Sequence, residues 1–355
     1  MPINVLVVDD SAFMRRAISK MLECEPEIVV CATARTGEEA IEKAQHWHPD
    51  VVTMDVEMPG MGGLEAVRAI SAQSGVPIIM VSALTREGAE TTFLALDAGA
   101  VDFIPKPDAA YVNIKDVARD LVAKVRVFAR RGAARRRAAP APKAVLPPLE
   151  RSADAARLSG AYECLAIGTS TGGPVALSKI VPQLPAAFAT PIVIVQHMPP
   201  GFTRPLADRL NASSNLRVRE GEEGLVLRKG EAVIAPAGLQ MHLRRSGDEV
   251  CVTLAADGGR SLHTPSVDAL TACVADMYGA SALAAILTGM GQDGIIGLRR
   301  LKDCGGFVIG QDASSCVVYG MPRAAAQAGL VDLVLPLSGM AQAMCELTNT
   351  SFAGS

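Results

Sequence analysis

The chain has 355 residues, of which 49% are hydrophobic and 20% charged. That is material for two domains of ~100–200 residues each, with sizeable cores, and it excludes a disordered, collagen-like or coiled-coil chain. The net charge of −3 argues against a general nucleic-acid binder, but it hides a segregation. Residues 1–110 carry 17 acidic and 8 basic side chains, residues 111–160 carry 4 and 12, and residues 161–355 carry 16 and 14. A basic segment between two acidic or near-neutral ones reads as a linker.

Eight cysteines (Cys24, Cys31, Cys164, Cys251, Cys273, Cys304, Cys316 and Cys345) are scattered without a Cys-x-x-Cys pair, so neither a zinc ribbon nor a thioredoxin-like site is expected. At this length a disulfide framework is unnecessary, and the cysteines read as small buried hydrophobes in a reducing compartment. The short apolar start Ile3–Val8 lacks the basic flank of a signal peptide, and no stretch of ~18 uncharged apolar residues occurs. The expectation is a cytoplasmic protein that does not span a membrane.

In chain order, the first segment alternates strand-length apolar runs (Val5–Val8, Ile28–Cys31, Val51–Met54, Ile78–Val81, Val101–Ile104) with stretches of helical period (Phe13–Leu22, Glu38–Gln45, Leu64–Ala72, Glu87–Ala98). Continuous apolar runs suit strands buried on both faces of a parallel sheet, and five β-α units make a doubly wound domain that binds ligands beyond the carboxyl ends of its strands. Polar residues converge there. Strand 1 ends in Asp9-Asp10, strand 3 in Asp55 followed by Met58-Pro59-Gly60, strand 4 in Ser82 and strand 5 in Lys106-Pro107. A strand-end Asp alone reads as a helix cap or a solvated turn. Clustered carboxylates, however, repel one another unless a hard cation sits among them, and Mg²⁺ takes one or two carboxylates plus water and phosphate oxygens. A carboxylate can also attack a phosphoryl group, with lysine and hydroxyl groups stabilising its oxygens.

Val117–Phe128 has helical periodicity and closes this domain. Then come Arg130-Arg131-Gly132-Ala133-Ala134-Arg135-Arg136-Arg137 and Ala-Pro repeats to Pro148, the composition of an exposed tether or of a basic patch for an acidic partner. With no interleaved aromatics it is not a nucleic-acid site, and no helix-turn-helix follows it.

A second β/α alternation begins at Cys164–Ile167, followed by the loop Gly168-Thr169-Ser170-Thr171-Gly172-Gly173-Pro174 and a helix over Val175–Val181. Strand Ile192–Val195 ends in Gln196-His197-Met198-Pro199, and Arg204–Asn211 is a helix candidate. Ala232–Ile234, Met241–Leu243 and Val250–Leu254 read as short strands, the last two a possible hairpin through Ser246-Gly247-Asp248. Helix Ser266–Tyr278 precedes strand Ala282–Leu287, which ends in Thr288-Gly289-Met290-Gly291-Gln292-Asp293-Gly294. Strands Gly306–Ile309 and Val331–Val334 complete the sheet.

Gly168–Gly172 matches Gly-x-Ser-x-Gly between a strand and a helix, where glycines permit a tight turn that exposes the serine and the helix N-terminus offers free N–H groups to an oxyanion. A phosphate-cradling loop is the alternative, but the Walker lysine and the dinucleotide spacing are missing. Of the five histidines, His46 and His48 lie beside Trp47 away from the carboxylate edge, His242 sits in a short strand, and His263 precedes a helix start. Only His197 follows a parallel-type core strand of the second domain, so it is the candidate base for Ser170. Asp293, in the glycine-rich loop after another core strand, is the acid that orients the base. The order Ser…His…Asp differs from that of α/β-hydrolases.

The first segment resembles the receiver domain of response regulators over residues 3–125, with Ser82 where receivers often have Thr. The resemblance implies a flavodoxin-like (βα)5 fold, phosphorylation on Asp55, Mg²⁺ held by Asp10, Asp55 and the backbone carbonyl of Glu57 with Asp9 in support, and Ser82 and Lys106 as sensors of the phosphoryl group. The motifs Gly-Thr-Ser-Thr-Gly-Gly-Pro, Gln-His-Met-Pro, Pro-Ser-Val-Asp and Leu-Thr-Gly-Met-Gly-x-Asp-Gly extend the resemblance over almost the whole chain, to the chemotaxis protein-glutamate methylesterases (the CheB family). This implies a receiver domain at 1–128, a linker at 129–160 and a doubly wound, mostly parallel α/β methylesterase domain at 161–350. It implies Ser170 as nucleophile, His197 as base, Asp293 as its orienter, the Met290 N–H as oxyanion donor and Thr171 lining the site. The activity implied is phosphorylation-activated hydrolysis of glutamate methyl esters on chemoreceptors, and deamidation of receptor glutamines, without a cofactor for the ester step. A chemotaxis-type histidine kinase is the implied phosphodonor, chemoreceptors are the substrate, and the protein is expected to be a monomer. Two rival readings remain open to the sequence: a response regulator whose second domain only binds a partner, and a hydrolase of small metabolite esters.

Overall fold

The computed structural model describes residues 2–106, 114–137 and 162–352. The chain divides between residues 146 and 147 into two compact units. Of the expected linker, residues 138–160 lie outside the described residues.

The first unit contains β1 (Ile3–Val8), α1 (Ala12–Glu23), β2 (Ile28–Ala34), α2 (Gly37–Trp47), β3 (Val51–Asp55), α3 (Gly63–Gln73), β4 (Ile78–Ser82), α4 (Arg86–Ala98), β5 (Asp102–Pro105) and α5 (Ile114–Arg137). The strands pair in parallel in the order β2-β1-β3-β4-β5. Every residue of β3 and β4 is buried, so both faces of the sheet are covered, which is why these strands read as unbroken apolar runs rather than as alternating ones. Side-chain oxygens of Ser11, Thr36 and Thr85 accept the amides of Met14, Glu39 and Gly88 and so start α1, α2 and α4, each satisfying a donor that the helix leaves unpaired.

Helix α5 runs nine residues beyond the expected domain edge at Phe128. Its buried stripe, Val117, Leu121, Val122, Val125, Phe128 and Ala129, ends where the apolar period ends, yet the backbone stays helical to Arg137. Alanine and arginine are strong helix formers and no proline intervenes before Pro140, so propensity carries the helix past its packed face.

The second unit contains β6 (Cys164–Thr169), α6 (Gly173–Ile180), β7 (Ile192–Gln196), α7 (Thr203–Ser213), β8 (Arg217–Glu220), β9 (Glu231–Ile234), β10 (Gln240–Ser246), β11 (Glu249–Ala255), α8 (Val267–Tyr278), β12 (Ala282–Ile286), α9 (Ile295–Asp303), β13 (Phe307–Gln311), α10 (Met321–Gln327), β14 (Leu333–Leu335) and α11 (Leu337–Leu347). Seven strands form a parallel sheet in the order β14-β13-β12-β6-β7-β9-β8, while β10 and β11 form a separate antiparallel hairpin. A core of Val193, Val195, Val233, Val267, Leu270, Val274, Ile286, Leu298 and Met321 joins the central strands to α8 and α9. The order places β6 between β12 and β7 in the middle of the sheet, so the loops after these three strands meet at one carboxyl edge.

Candidate active site

The carboxyl edge of the first unit gathers the expected residues. Asp9 follows β1, Asp55 ends β3, Ser82 ends β4, and the Lys106 amide donates to the Ser82 carbonyl at 2.7 Å. Lys106 Nζ lies 2.8 and 2.9 Å from the two Asp55 oxygens and 4.0 Å from Asp9 Oδ2. Asp9 Oδ1 accepts the Ser11 amide at 2.9 Å, whereas Asp9 Oδ2 is buried with no hydrogen-bond partner. Burial, reinforced by the charge of Asp55, pushes the Asp9 carboxyl up to about 6. Burial raises Asp55 as well, against the opposing hydrogen bond from Lys106. Burial disfavours the charge on Lys106, but the hydrogen bond to Asp55 and the attraction of Asp9 and Asp10 outweigh it and hold the ammonium above its ordinary value.

Oxygens of Asp9, Asp10 and Asp55 lie within 4.8 Å of one another and Asp9 Oδ2 has no hydrogen-bond partner, so this donor set fits a hard divalent cation. The Glu57 amide donates to Asp55 Oδ1 at 3.4 Å. Ser82 is placed at the edge, but its hydroxyl donates to the Gly88 carbonyl at 3.1 Å and not to the carboxylates. Glycine is required at position 63, where a Cβ would lie 2.0 Å from the Asp55 carbonyl oxygen.

In the second unit, β6 and β7 pair with Thr169 opposite Gln196, and the His197 amide donates to the Thr169 carbonyl at 3.1 Å. The residues that follow, Ser170 and His197, therefore leave neighbouring strands side by side. On the other flank, the Ser170 amide donates to the Thr288 carbonyl at 3.1 Å. Gln196 Nε2 donates at 2.9 Å to the carbonyls of both Ser170 and His197. Thr288 locks the opposite side: its carbonyl accepts Thr169 Oγ1 at 2.9 Å, and its hydroxyl donates to the Thr171 carbonyl and accepts the Val318 amide, both at 2.9 Å. Gly172, at φ +79°, turns the chain into α6, a left-handed conformation open to glycine at little strain.

His197 Nε2 lies 2.7 Å from Asp293 Oδ2, and His197 Nδ1 is buried with no hydrogen-bond partner. Asp293 Oδ2 also accepts the Val267 amide at 2.7 Å, while Oδ1 accepts Ser266 Oγ at 2.9 Å and the Asp268 amide at 3.1 Å. The carboxylate thus sits on the N-terminus of α8, where free N–H groups and the helix dipole favour negative charge. Burial works against that charge, but the hydrogen bonds from His197, Val267 and Asp268 override it and hold the carboxyl well below the ordinary range. An ionised Asp293 accepts a hydrogen bond from Nε2–H, which fixes the tautomer and leaves the Nδ1 lone pair as the basic position. The backbone N–H groups of Thr171 and Met290 donate to no group among the described residues, and a Cβ on Gly289 would lie 2.9 Å from Ser170 Cβ. Unpaired amides beside a serine are what an oxyanion needs.

The structure therefore brings Ser170, Thr171, His197, Met290 and Asp293 to one edge. The carboxylate support from Ser266 and the clamps Gln196 and Thr288 were not singled out from sequence. Polar residues closing core strands β7 and β12 were the available signal for the last two.

Two units of these kinds, a carboxylate-edged (βα)5 domain followed by a serine–histidine–aspartate α/β domain, define a response regulator with a hydrolase-type output. The family models agree: residues 5–115 match the response regulator receiver domain and residues 165–344 match CheB methylesterase. The chain belongs to the CheB methylesterase family. It is 44% identical to the protein-glutamate methylesterase/protein-glutamine glutaminase of Moorella thermoacetica, covering 98% of each chain, and 42% identical to that of Pyrococcus abyssi, covering 94% of this chain and 90% of the relative. The Thermotoga maritima CheB methylesterase catalytic domain matches 52% of this chain and 98% of its own, at 41% identity and a TM-score of 0.51. No helix among the described residues is long and apolar enough to cross a membrane.

Proposed function

We propose that the chain is a phosphorylation-activated serine esterase that hydrolyses glutamate γ-methyl esters on chemoreceptors and deamidates receptor glutamines; its relatives' names carry the methylesterase and glutaminase activities. The observation that supports it most is the His197–Asp293 pair with Nδ1 left unpaired, on a residue whose backbone is hydrogen-bonded to the strand that leads into the Ser170 turn. In this reading Ser170 Oγ attacks the ester carbonyl and Nδ1 takes its proton. Asp293 stabilises the imidazolium that forms, and the Met290 amide, with Thr171 alongside, receives the oxyanion. The C–O bond breaks, His197 returns the proton, and methanol leaves. Water, activated by the same histidine, then frees the glutamate from Ser170. A glutamine side chain follows the same course with ammonia as the leaving group.

On the receiver, Asp55 accepts the phosphoryl group of a chemotaxis-type histidine kinase. Asp10, Asp55 and the Glu57 carbonyl would hold Mg²⁺, with Asp9 in support, and the ion would supply positive charge for phosphoryl oxygens. Lys106 pairs with the phosphoryl group in place of the Asp55 oxygens it now holds. Ser82 leaves the Gly88 carbonyl to hydrogen-bond it. The ester step needs no cofactor.

The test measures methanol release from methylated receptor membranes by the full chain, with a small phosphodonor and Mg²⁺. Ser170→Ala should abolish release, and Asp55→Asn should keep a basal rate that the phosphodonor no longer raises. Undiminished release by Ser170→Ala would sink the assignment, and equal turnover of a small ester without receptor would favour a metabolite hydrolase.

A further inference from the structure

The His197 ring is held to Asp293 through Nε2, the nitrogen on the far side of the ring from the Cβ–Cγ bond. Nε2 lies nearer the axis of that bond than Nδ1 does. A hydrogen bond at Nε2 therefore resists rotation of the ring with less leverage than one at Nδ1 would. The terminal torsion of histidine is intrinsically broad, so Asp293 alone restrains the plane of the ring only weakly. A second imidazole supplies what is missing. The His263 ring stacks on that of His197 with centroids 4.1 Å apart and planes within 18° of parallel.

The support behind His263 is rigid. Its carbonyl accepts Gln240 Nε2 at 3.0 Å, and the next carbonyl, of Thr264, accepts the Gly238 amide at 3.0 Å. Gln240 is buried and also donates to Asp257 at 3.0 Å and accepts the Ser266 amide at 2.9 Å. Asp257 in turn closes the loop by accepting the amide and hydroxyl of Ser261 at 2.7 and 2.8 Å. The outer side of this loop is solvent: Leu262 is 83% exposed, while its neighbour His263 turns in against His197. Gln240 thereby ties the stacking residue to Ser266, which holds Asp293, so that both restraints on the base share one anchor.

We infer that His263 is a positioning residue whose ring fixes the plane of His197 and keeps Nδ1 aimed at Ser170. The inference rests on His197 being the base. It assigns His263 no proton transfer, and its contribution is a flat face.

The experiment compares His263→Ala, His263→Phe and His263→Gln in the full chain, with kcat and KM read from methanol release and His197→Ala as the control. Loss of an aromatic stack predicts a kcat lower by about tenfold in His263→Ala, with KM changed less than twofold. Phe, which keeps a flat ring and no polar atom, should restore kcat to within about threefold, while Gln, which keeps polarity and no ring, should resemble Ala. Where His263→Ala fails to fold, the Phe and Gln pair decides alone. Unimpaired kcat in His263→Ala or His263→Gln, or a Phe variant as weak as Ala, overturns the inference. With either of those results, an inactive His197→Ala leaves the base assignment standing; an active His197→Ala refutes that assignment and the stack's role with it.

Discussion

Asp293→Asn tests the proposed orienter and the start of α8 together. The carboxylate receives four donors, two on each oxygen: His197 Nε2 and the Val267 amide on Oδ2, Ser266 Oγ and the Asp268 amide on Oδ1. A carboxamide has one oxygen. If that oxygen takes the Oδ2 position, its NH₂ faces the Asp268 N–H and one helix donor is orphaned. If it takes the Oδ1 position, the NH₂ faces the Val267 N–H, and His197 must accept at Nε2, which moves the ring proton to Nδ1 and removes the base. Either arrangement loses the charge at the helix N-terminus and leaves a buried amide unpaired, together about 3 kcal/mol. For a unit of this size that lowers the unfolding midpoint by about 6–12 °C. Where the tautomer is reversed, methanol release should fall by about 10³–10⁴-fold. Calorimetry of the full chain resolves the second unit's transition, and methanol release gives the rate. The sign with pH is fixed, because a carboxyl held below its ordinary value contributes stability that is present above that value and lost as pH falls. The gap between wild type and Asp293→Asn should therefore shrink below about pH 4. An unmoved midpoint together with more than a tenth of the wild-type rate would refute the reasoning.

Two further outcomes are expected. Asp9, raised to about 6, binds a proton in the folded receiver that it sheds when unfolded between pH ~4 and ~6. Folding of the metal-free wild type therefore weakens relative to Asp9→Asn as pH rises through that window, by about 2 kcal/mol at pH 7 after allowing for solvent screening. Denaturant titrations at pH 4.5 and 7 check this, and a difference independent of pH contradicts it. Gly173→Ala places a methyl 1.9 Å from Gln196 Oε1 and 2.4 Å from Thr169 Oγ1. It should destabilise the second unit by about 1–3 kcal/mol and lower kcat, because Gln196 holds the Ser170 and His197 carbonyls; unchanged kcat with intact folding argues against that clamp.

The residues at the strand ends were legible because a parallel sheet buries its strands on both faces, so the first polar residue after an apolar run marks the edge where ligands bind. Asp55, Ser170, His197 and Asp293 all stand at such breaks. Other elements were silent for physical reasons. The edge strand β8, Arg-Val-Arg-Glu, is too short and polar to carry a period. The short helix α10 reads as an alanine run behind a proline. The extension of α5 is encoded in propensity without an apolar stripe. Gln240, Ser266 and His263 act through long-range hydrogen bonds and stacking between segments 23–66 residues apart in the chain, which no local pattern announces. The direction of the imidazole, Nε2 to the carboxylate, follows from backbone placement and leaves no trace in residue type.

Strand order has a consequence for synthesis. The nucleophile loop follows β6, yet the strand on its far side is β12, which ends at Ile286, and the carboxylate lies seven residues later at Asp293. A chain emerging from its N-terminus thus carries Ser170 and His197 for more than ninety residues before Thr288 and Asp293, which close the far side of the site, exist. Such distant pairing makes assembly slow and late, and hydrolytic competence arrives only with the completed centre of the sheet. The recovery of esterase turnover after dilution from denaturant accordingly reports completion of the centre of the second unit's sheet.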